Sequence, residues 1–247
     1  MINAIKVNEA VNEIAPYELT EQWDNCGLLV DCAEETDKIL FALDVTNEVV
    51  AEAKELCCGI IVSHHPAIFQ GKKALADGDP VLTAAKEHIS LIAAHTCFDM
   101  AQGGVNDVLC KILGVENASL FECGRGGILK KDSAKSLAEF VKEKLGCACV
   151  KYIDVGCKIE KVAIIGGSAG EFIGQAKWMG YDAFITGEIK HHEALFAKQI
   201  GLTVISAGHF ETENPAMEAM LELVSEKIGN KAECLLSKKN TNPIMTI

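Results

Sequence analysis

Short, uninterrupted apolar runs rich in Ile, Val and Leu recur along the chain, separated by longer stretches with helical spacing. Lys38-Ile39-Leu40-Phe41-Ala42-Leu43, Ile60-Ile61-Val62, Leu91-Ile92-Ala93-Ala94, Lys161-Val162-Ala163-Ile164-Ile165-Gly166 and Phe184-Ile185-Thr186 read as buried strands. Between them the pattern predicts a helix over residues 7–15, stopped by Pro16. Asp79-Pro80 supplies an N-cap and a first helical residue for a helix ending near His88. Val105–Leu113 reads as a helix closed by Gly114, and Thr212-Glu213-Asn214-Pro215 opens an amphipathic helix running to Ile228. Strands alternating with helices point to an α/β architecture.

The pattern then repeats. At a constant offset of 123 residues, Ala53-Lys54 falls on Ala176-Lys177 and Ser63 on Thr186, so His64-His65 falls on Gly187-Glu188. The next strand repeats at an offset of 114, where Ala93-Ala94-His95 with Asp99 matches Ala207-Gly208-His209 with Glu213. We read two similar α/β halves. The Gly-rich stretch Glu122-Cys123-Gly124-Arg125-Gly126-Gly127 marks the boundary, giving halves of residues 1–125 and 126–247.

Composition narrows the class. The 247 residues are 49% hydrophobic and 23% charged, ordinary for a water-soluble globular protein. No apolar run approaches the roughly 18–20 residues of a membrane span, and Met1-Ile2-Asn3-Ala4-Ile5-Lys6 does not resemble a secretion signal. The 11 cysteines are odd in number, scattered, and form no C-x-x-C pair. They read as small buried residues of a reducing compartment, so the expected location is cytoplasmic. A net charge of −12 argues against a nucleic-acid partner and leaves a phosphorylated small molecule open.

The histidines carry the chemistry. Six of the seven, His64, His65, His95, His191, His192 and His209, fall at or just beyond strand ends, where α/β folds keep their ligands; only His88 reads as an ordinary surface residue. Asp99 and Glu213 add carboxylates of the kind that bridge two cations. Adjacent residues on an extended strand point to opposite sides, so His64 and His65 serve two neighbouring metals more naturally than one, unless the backbone turns. Imidazole and carboxylate donors suit Zn, Fe, Mn, Co or Ni without choosing among them. Glu213 also reads as an acid favoured in a first helical turn, and Asp99 as a turn residue. In Gly187-Glu188-Ile189-Lys190-His191-His192, Glu188 is a candidate general base and His191 or His192 a proton shuttle or anion holder; a plain helix start is the other reading. Arg125, the single arginine, suits either a phosphate or a salt bridge. Gly166-Gly167-Ser168-Ala169-Gly170 reads as a tight packing turn rather than an anion cradle.

Together Trp23-Asp24-Asn25-Cys26-Gly27-Leu28, Ser63-His64-His65-Pro66, Ala94-His95-Thr96 with Asp99, Gly103-Gly104-Val105-Asn106-Asp107, Thr186-Gly187-Glu188 with His191-His192, and Gly208-His209 with Thr212-Glu213 resemble the Nif-three-like proteins. These are also called dinuclear-metal-centre hexameric proteins, or GTP cyclohydrolase I type 2 homologs. The resemblance covers nearly the whole chain. It implies two α/β halves with a dinuclear metal site in the cleft between them, assembled into a toroidal homohexamer. It also implies two divalent metal ions per chain on His64, His65, Asp99, His209 and Glu213, with Glu213 bridging and His95 as a supporting or additional ligand. The implied activity is metal-dependent hydrolysis of a nucleotide or phosphoester. A non-catalytic metal-binding or regulatory ring is the alternative. Cys97-Phe98 replace the family's common Asn-Leu, which would set a thiol near the metals, and Phe210 replaces a frequent Tyr.

Overall fold

The computed structural model describes every residue from Met1 to Ile247, and the chain folds into two compact units. The first comprises Met1–Gly104 and Ala216–Pro243; the second comprises Val105–Pro215 and Ile244–Ile247.

The first unit is built on a five-stranded sheet in the spatial order Glu233–Leu236, Lys38–Ala42, Ile60–Ser63, Ser90–Ala93, Gly27–Val30. The first four strands run parallel and the last is antiparallel. Parallel strands need crossover helices that cover the sheet faces, which is why Lys38–Ala42, Ile60–Ser63 and Ser90–Ala93 read as apolar runs. Leu40, Ile61 and Leu91 pack in one cluster with Val49, Val50 and Ala53 of the helix Asn47–Glu55 and with Val81 and Ala84 of the helix Pro80–Lys86. The caps are local in origin. Asp79 accepts from the backbone N–H of Val81 with Pro80 at the first helical turn, and Thr46 accepts from Val49. The helix Ala4–Ile14 starts earlier than its apolar spacing suggests because Asn3 caps it through Lys6.

The second unit holds a six-stranded sheet in the order Glu116–Phe121, Gly124–Lys131, Ile159–Ile164, Ala183–Thr186, Thr203–Ser206, Lys151–Ile153. Its three strands from Ile159–Ile164 to Thr203–Ser206 are parallel and the others pair antiparallel. Three successive parallel strands with an antiparallel strand beyond the third occur in both units. The repeat read from the sequence is therefore also a repeat of topology. The sheets differ on their other side, where the first unit adds a parallel strand and the second an antiparallel hairpin.

The division of the chain departs from the expected boundary at 125/126. The chain leaves the first unit at Gly104 and returns to it at Ala216. The glycines of residues 122–127 mark close packing rather than a boundary. Gly124, Gly126 and Gly127 lie in the strand Gly124–Lys131, where a Cβ would come within 2.1 Å of Ile164 O, 1.9 Å of Tyr181 Oη and 2.5 Å of Val115 Cγ1. The long helix read over residues 212–228 is two helices, His209–Glu213 and Ala216–Lys227, because Pro215 interrupts the ladder. No helix is long and apolar enough to cross a membrane.

Candidate metal centre

In the first unit the His-His pair follows directly on the strand Ile60–Ser63. The backbone N–H groups of His64 and His65 donate to Ala42 O (3.2 Å) and Leu43 O (2.9 Å), and Ser63 Oγ donates to His65 O (2.8 Å). These bonds hold a bend that Pro66 prevents from continuing as strand. Because the backbone turns here, the two imidazoles converge, with ring centroids 5.1 Å apart. His95 joins them from the end of the neighbouring strand Ser90–Ala93. One ring nitrogen from each of His64, His65 and His95 lies within 4.8 Å of the others. Asp99, one turn beyond His95 in the helix Thr96–Met100, brings Oδ1 to 3.7 Å from His64 Nε2.

In the second unit His209 and Glu213 lie one turn apart on the helix His209–Glu213, with His209 Nε2 3.0 Å from Glu213 Oε2. The approach depends on the turn at residues 166–167. A Cβ on Gly167 would sit 2.2 Å from Glu213 Oε1 and 3.2 Å from His209 Nε2, and its φ is +63°. That turn is held by Asn106, whose Oδ1 accepts from Gly166 N (2.9 Å), and by Thr212 Oγ1, which accepts from Gly167 N (3.1 Å).

A shared hydrogen-bond pattern makes these histidines fit a metal. His64 Nδ1 donates to Ala94 O (2.9 Å), His65 Nδ1 to Asp44 Oδ1 (2.7 Å), His95 Nδ1 to Asp24 Oδ1 (2.9 Å) and His209 Nδ1 to Glu188 Oε1 (2.8 Å). Carbonyl and carboxylate oxygens only accept, so each Nδ1 carries the proton. In the neutral rings of His64, His65 and His95 the lone pair is then on Nε2, the arrangement found where histidine ligates a metal, whereas His209 Nε2 also faces the Glu213 carboxylate. Asp24 is further tied down: its Oδ2 accepts from Thr96 N (3.1 Å) and Thr96 Oγ1 (2.6 Å). Burial works against its charge, but the hydrogen bonds from His95 and Thr96 outweigh it and hold the carboxyl well below the usual carboxylate range.

Asp24 and Asp44 are orienting residues that the histidine count alone does not reveal. The available signals were the acid inside Trp23-Asp24-Asn25 and the acid two residues beyond the strand Lys38–Ala42, next to the His-His strand in the sheet. Glu188, a candidate base, orients His209 instead. His191 and His192 lie exposed in the first turn of the helix His191–Ile200, outside every cluster of metal-capable side chains, and His192 Nε2 is 4.0 Å from Glu193 Oε1. Arg125 is buried, with Nε on Asp107 and Nη1 on Gly124 O (3.0 Å). The salt-bridge reading of that arginine describes what is seen. Cys97 is buried with its Sγ 3.5 Å from Cys26 Sγ, and Cys26 Sγ in turn lies 3.4 Å from Asp24 Oδ2. The thiol expected near the metals thus packs behind the residue that orients His95.

A sequence model of the family described as Duf34/NIF3 (NGG1p interacting factor 3) matches residues 2–243. A GTP cyclohydrolase 1 type 2 homolog of Clostridium perfringens is 34% identical, with 97% of this chain and 98% of the relative covered. The solved structure of Staphylococcus aureus protein SA1388 superposes with a TM-score of 0.91 at 29% identity, covering 99% of each chain. A Bacillus cereus protein related to NIF3 superposes with a TM-score of 0.90 over 100% of this chain and 99% of that one; at 22% identity this likeness is one of fold. The motifs, the duplicated sheets and a match over nearly every residue lead to one conclusion: the chain belongs to the DUF34/NIF3 family.

Proposed function

We propose that His64, His65, Asp99, His209 and Glu213 hold two divalent metal ions per chain, and that the protein is a metal-dependent hydrolase acting on a nucleotide or other phosphoester. The observation that carries this reading is the common orientation of four histidines, each with Nδ1 committed to a carbonyl or carboxylate oxygen, as in histidines that ligate metals. Bound divalent cations would supply Lewis acidity, lowering the pKa of water and polarising a phosphoryl group or ring carbon. The protein's own part is to fix its donors. Asp44, Asp24 and Glu188 hold the imidazoles in one tautomer, and the Gly167 turn lets the Glu213 carboxylate approach His209. The set contains only imidazole and carboxylate, so it suits Zn, Fe, Mn, Co or Ni. The name of the Clostridium perfringens relative supports a nucleotide as the class to try first.

Assembly as a homohexamer, which rests on the family resemblance alone, and a cytoplasmic location, which rests on the scattered cysteines, complete the proposal. The test is metal content of the purified protein, followed by turnover on GTP and a phosphoester panel, with light scattering for the assembly. Turnover that is lost with the metal in His65→Ala supports a hydrolase. Metal that is bound by the wild type and lost in His65→Ala, with no turnover in either, removes the enzyme and leaves the metal-binding ring.

A further inference from the structure

Trp23 and Phe69 are large aromatic side chains left in water beside the histidine cluster. Trp23 is 57% exposed and Phe69 43% exposed, although burying rings of this size would contribute substantially to stability. They are not loose. Their ring centroids are 5.6 Å apart, and each packs edge-on toward His95, at 6.0 and 6.1 Å. The two loops that carry them are joined by Asn25 Nδ2, which donates to Ile68 O at 2.5 Å. The box Trp23-Asp24-Asn25 therefore has three uses within three residues. Asn25 fastens the loop of Phe69, Asp24 orients His95, and Trp23 presents its ring. The Phe69 loop continues into Lys72 and Lys73, positive charges on a chain of net charge −12. Lys72 lies 2.8 Å from Asp79, and Lys73 is exposed.

We propose that Trp23 and Phe69 form a stacking platform for a planar aromatic ring of the substrate, and that the ligand class is a nucleoside phosphate. The base lies on the exposed ring faces, where stacking tolerates any π-system. The phosphate would be drawn by Lys73 and by the divalent cations that the donors around His95 would hold. This deepens the proposed hydrolase reading, on which it rests for the phosphate end. A small patch of two tethered rings fits a base better than a protein surface, which needs about 800 Å² from each partner.

The experiment uses the metal-loaded full chain carrying Trp178→Phe, which leaves Trp23 as the only tryptophan, since the chain has 2. Guanosine monophosphate is expected to quench Trp23 fluorescence saturably, and ribose 5-phosphate to bind by calorimetry without quenching. In Phe69→Ala the affinity for guanosine monophosphate should fall about 10-fold, with ribose 5-phosphate affinity and metal content unchanged. Phe69→Tyr should restore it. No quenching, or equal effects of Phe69→Ala on both probes, overturns the platform. So does a changed assembly mass with nucleotide affinity intact, which would make the rings a contact between copies of the chain. Quenching by guanosine monophosphate in a protein that never takes up metal would keep the platform and remove the metal reading instead.

Discussion

A histidine becomes a good ligand when something else holds its other nitrogen. His65 shows this most simply, since its Nδ1 is held by Asp44 Oδ1 at 2.7 Å while Asp44 N is itself anchored on Asn240 Oδ1 at 3.1 Å. Asp44→Ala is expected to lower metal affinity about 10- to 100-fold with the far-ultraviolet circular dichroism unchanged; a metal titration of both proteins checks it. The acceptor of His64 is the backbone carbonyl of Ala94, which no substitution deletes, so Asp44 is the better probe. Gly167 makes a second case. Its Cβ would meet Glu213 Oε1 at 2.2 Å, whereas Gly146, with a similar φ of +66°, has open space. Both Gly→Ala changes pay the left-handed penalty of roughly 1–2 kcal/mol, but only Gly167→Ala should also displace Glu213 and reduce metal uptake. Equal metal uptake by the two variants would show that the Gly167 turn does not serve Glu213.

At the scale of elements, legibility followed burial. The helix Val105–Leu113 and its Gly114 terminator were readable because an apolar stripe and a left-handed glycine occur together. The inner parallel strands were readable because both faces are covered. The hairpin Glu116–Phe121 with Gly124–Lys131 was not, since five of the six residues of its edge strand are exposed and no alternation marks it. The closing strand Glu233–Leu236 has no buried residue, so it too leaves no apolar run to find. The glycines at residues 124–127 misled for the converse reason. They occupy a crowded sheet interior, and only the packing of Tyr181 and Ile164 against them reveals it. Gly126→Ala would drive a Cβ to 1.9 Å from Tyr181 Oη and is expected to cost about 1–3 kcal/mol. A urea titration reads that directly, and an unchanged midpoint would mean that Tyr181 moves freely aside. The site was legible in a similar way: its donors stood at strand ends, whereas the acids that orient them are ordinary aspartates until their partners are seen.

On the scale of the whole molecule, the chain's last elements return to complete the first unit. Glu52, buried in the helix Asn47–Glu55, accepts from Ser237 Oγ at 2.5 Å and from Lys238 N at 3.0 Å, fastening the chain just beyond the closing strand. The cysteines set an alkaline limit on this fold. Burial pushes Cys58, Cys110 and Cys147 each up to about 11. The folded state therefore binds more protons than the unfolded one between an ordinary thiol pKa of about 8.5 and that value. Stability must fall as pH rises through this window and is unaffected by these thiols below it. Urea midpoints at pH 8 and pH 10.5 should show the decline, and replacing the three cysteines with alanine should make it shallower, with the raised thiols of Cys32, Cys97 and Cys234 carrying the remainder. The central claim, that the strand-end donors bind metal, is tested most directly by counting metal per chain in the wild type, His65→Ala and Glu213→Gln after loading with one divalent ion. The expected result is two ions per wild-type chain and fewer in each variant, with folding intact. No metal in the wild type, or two ions retained by both variants, would contradict it.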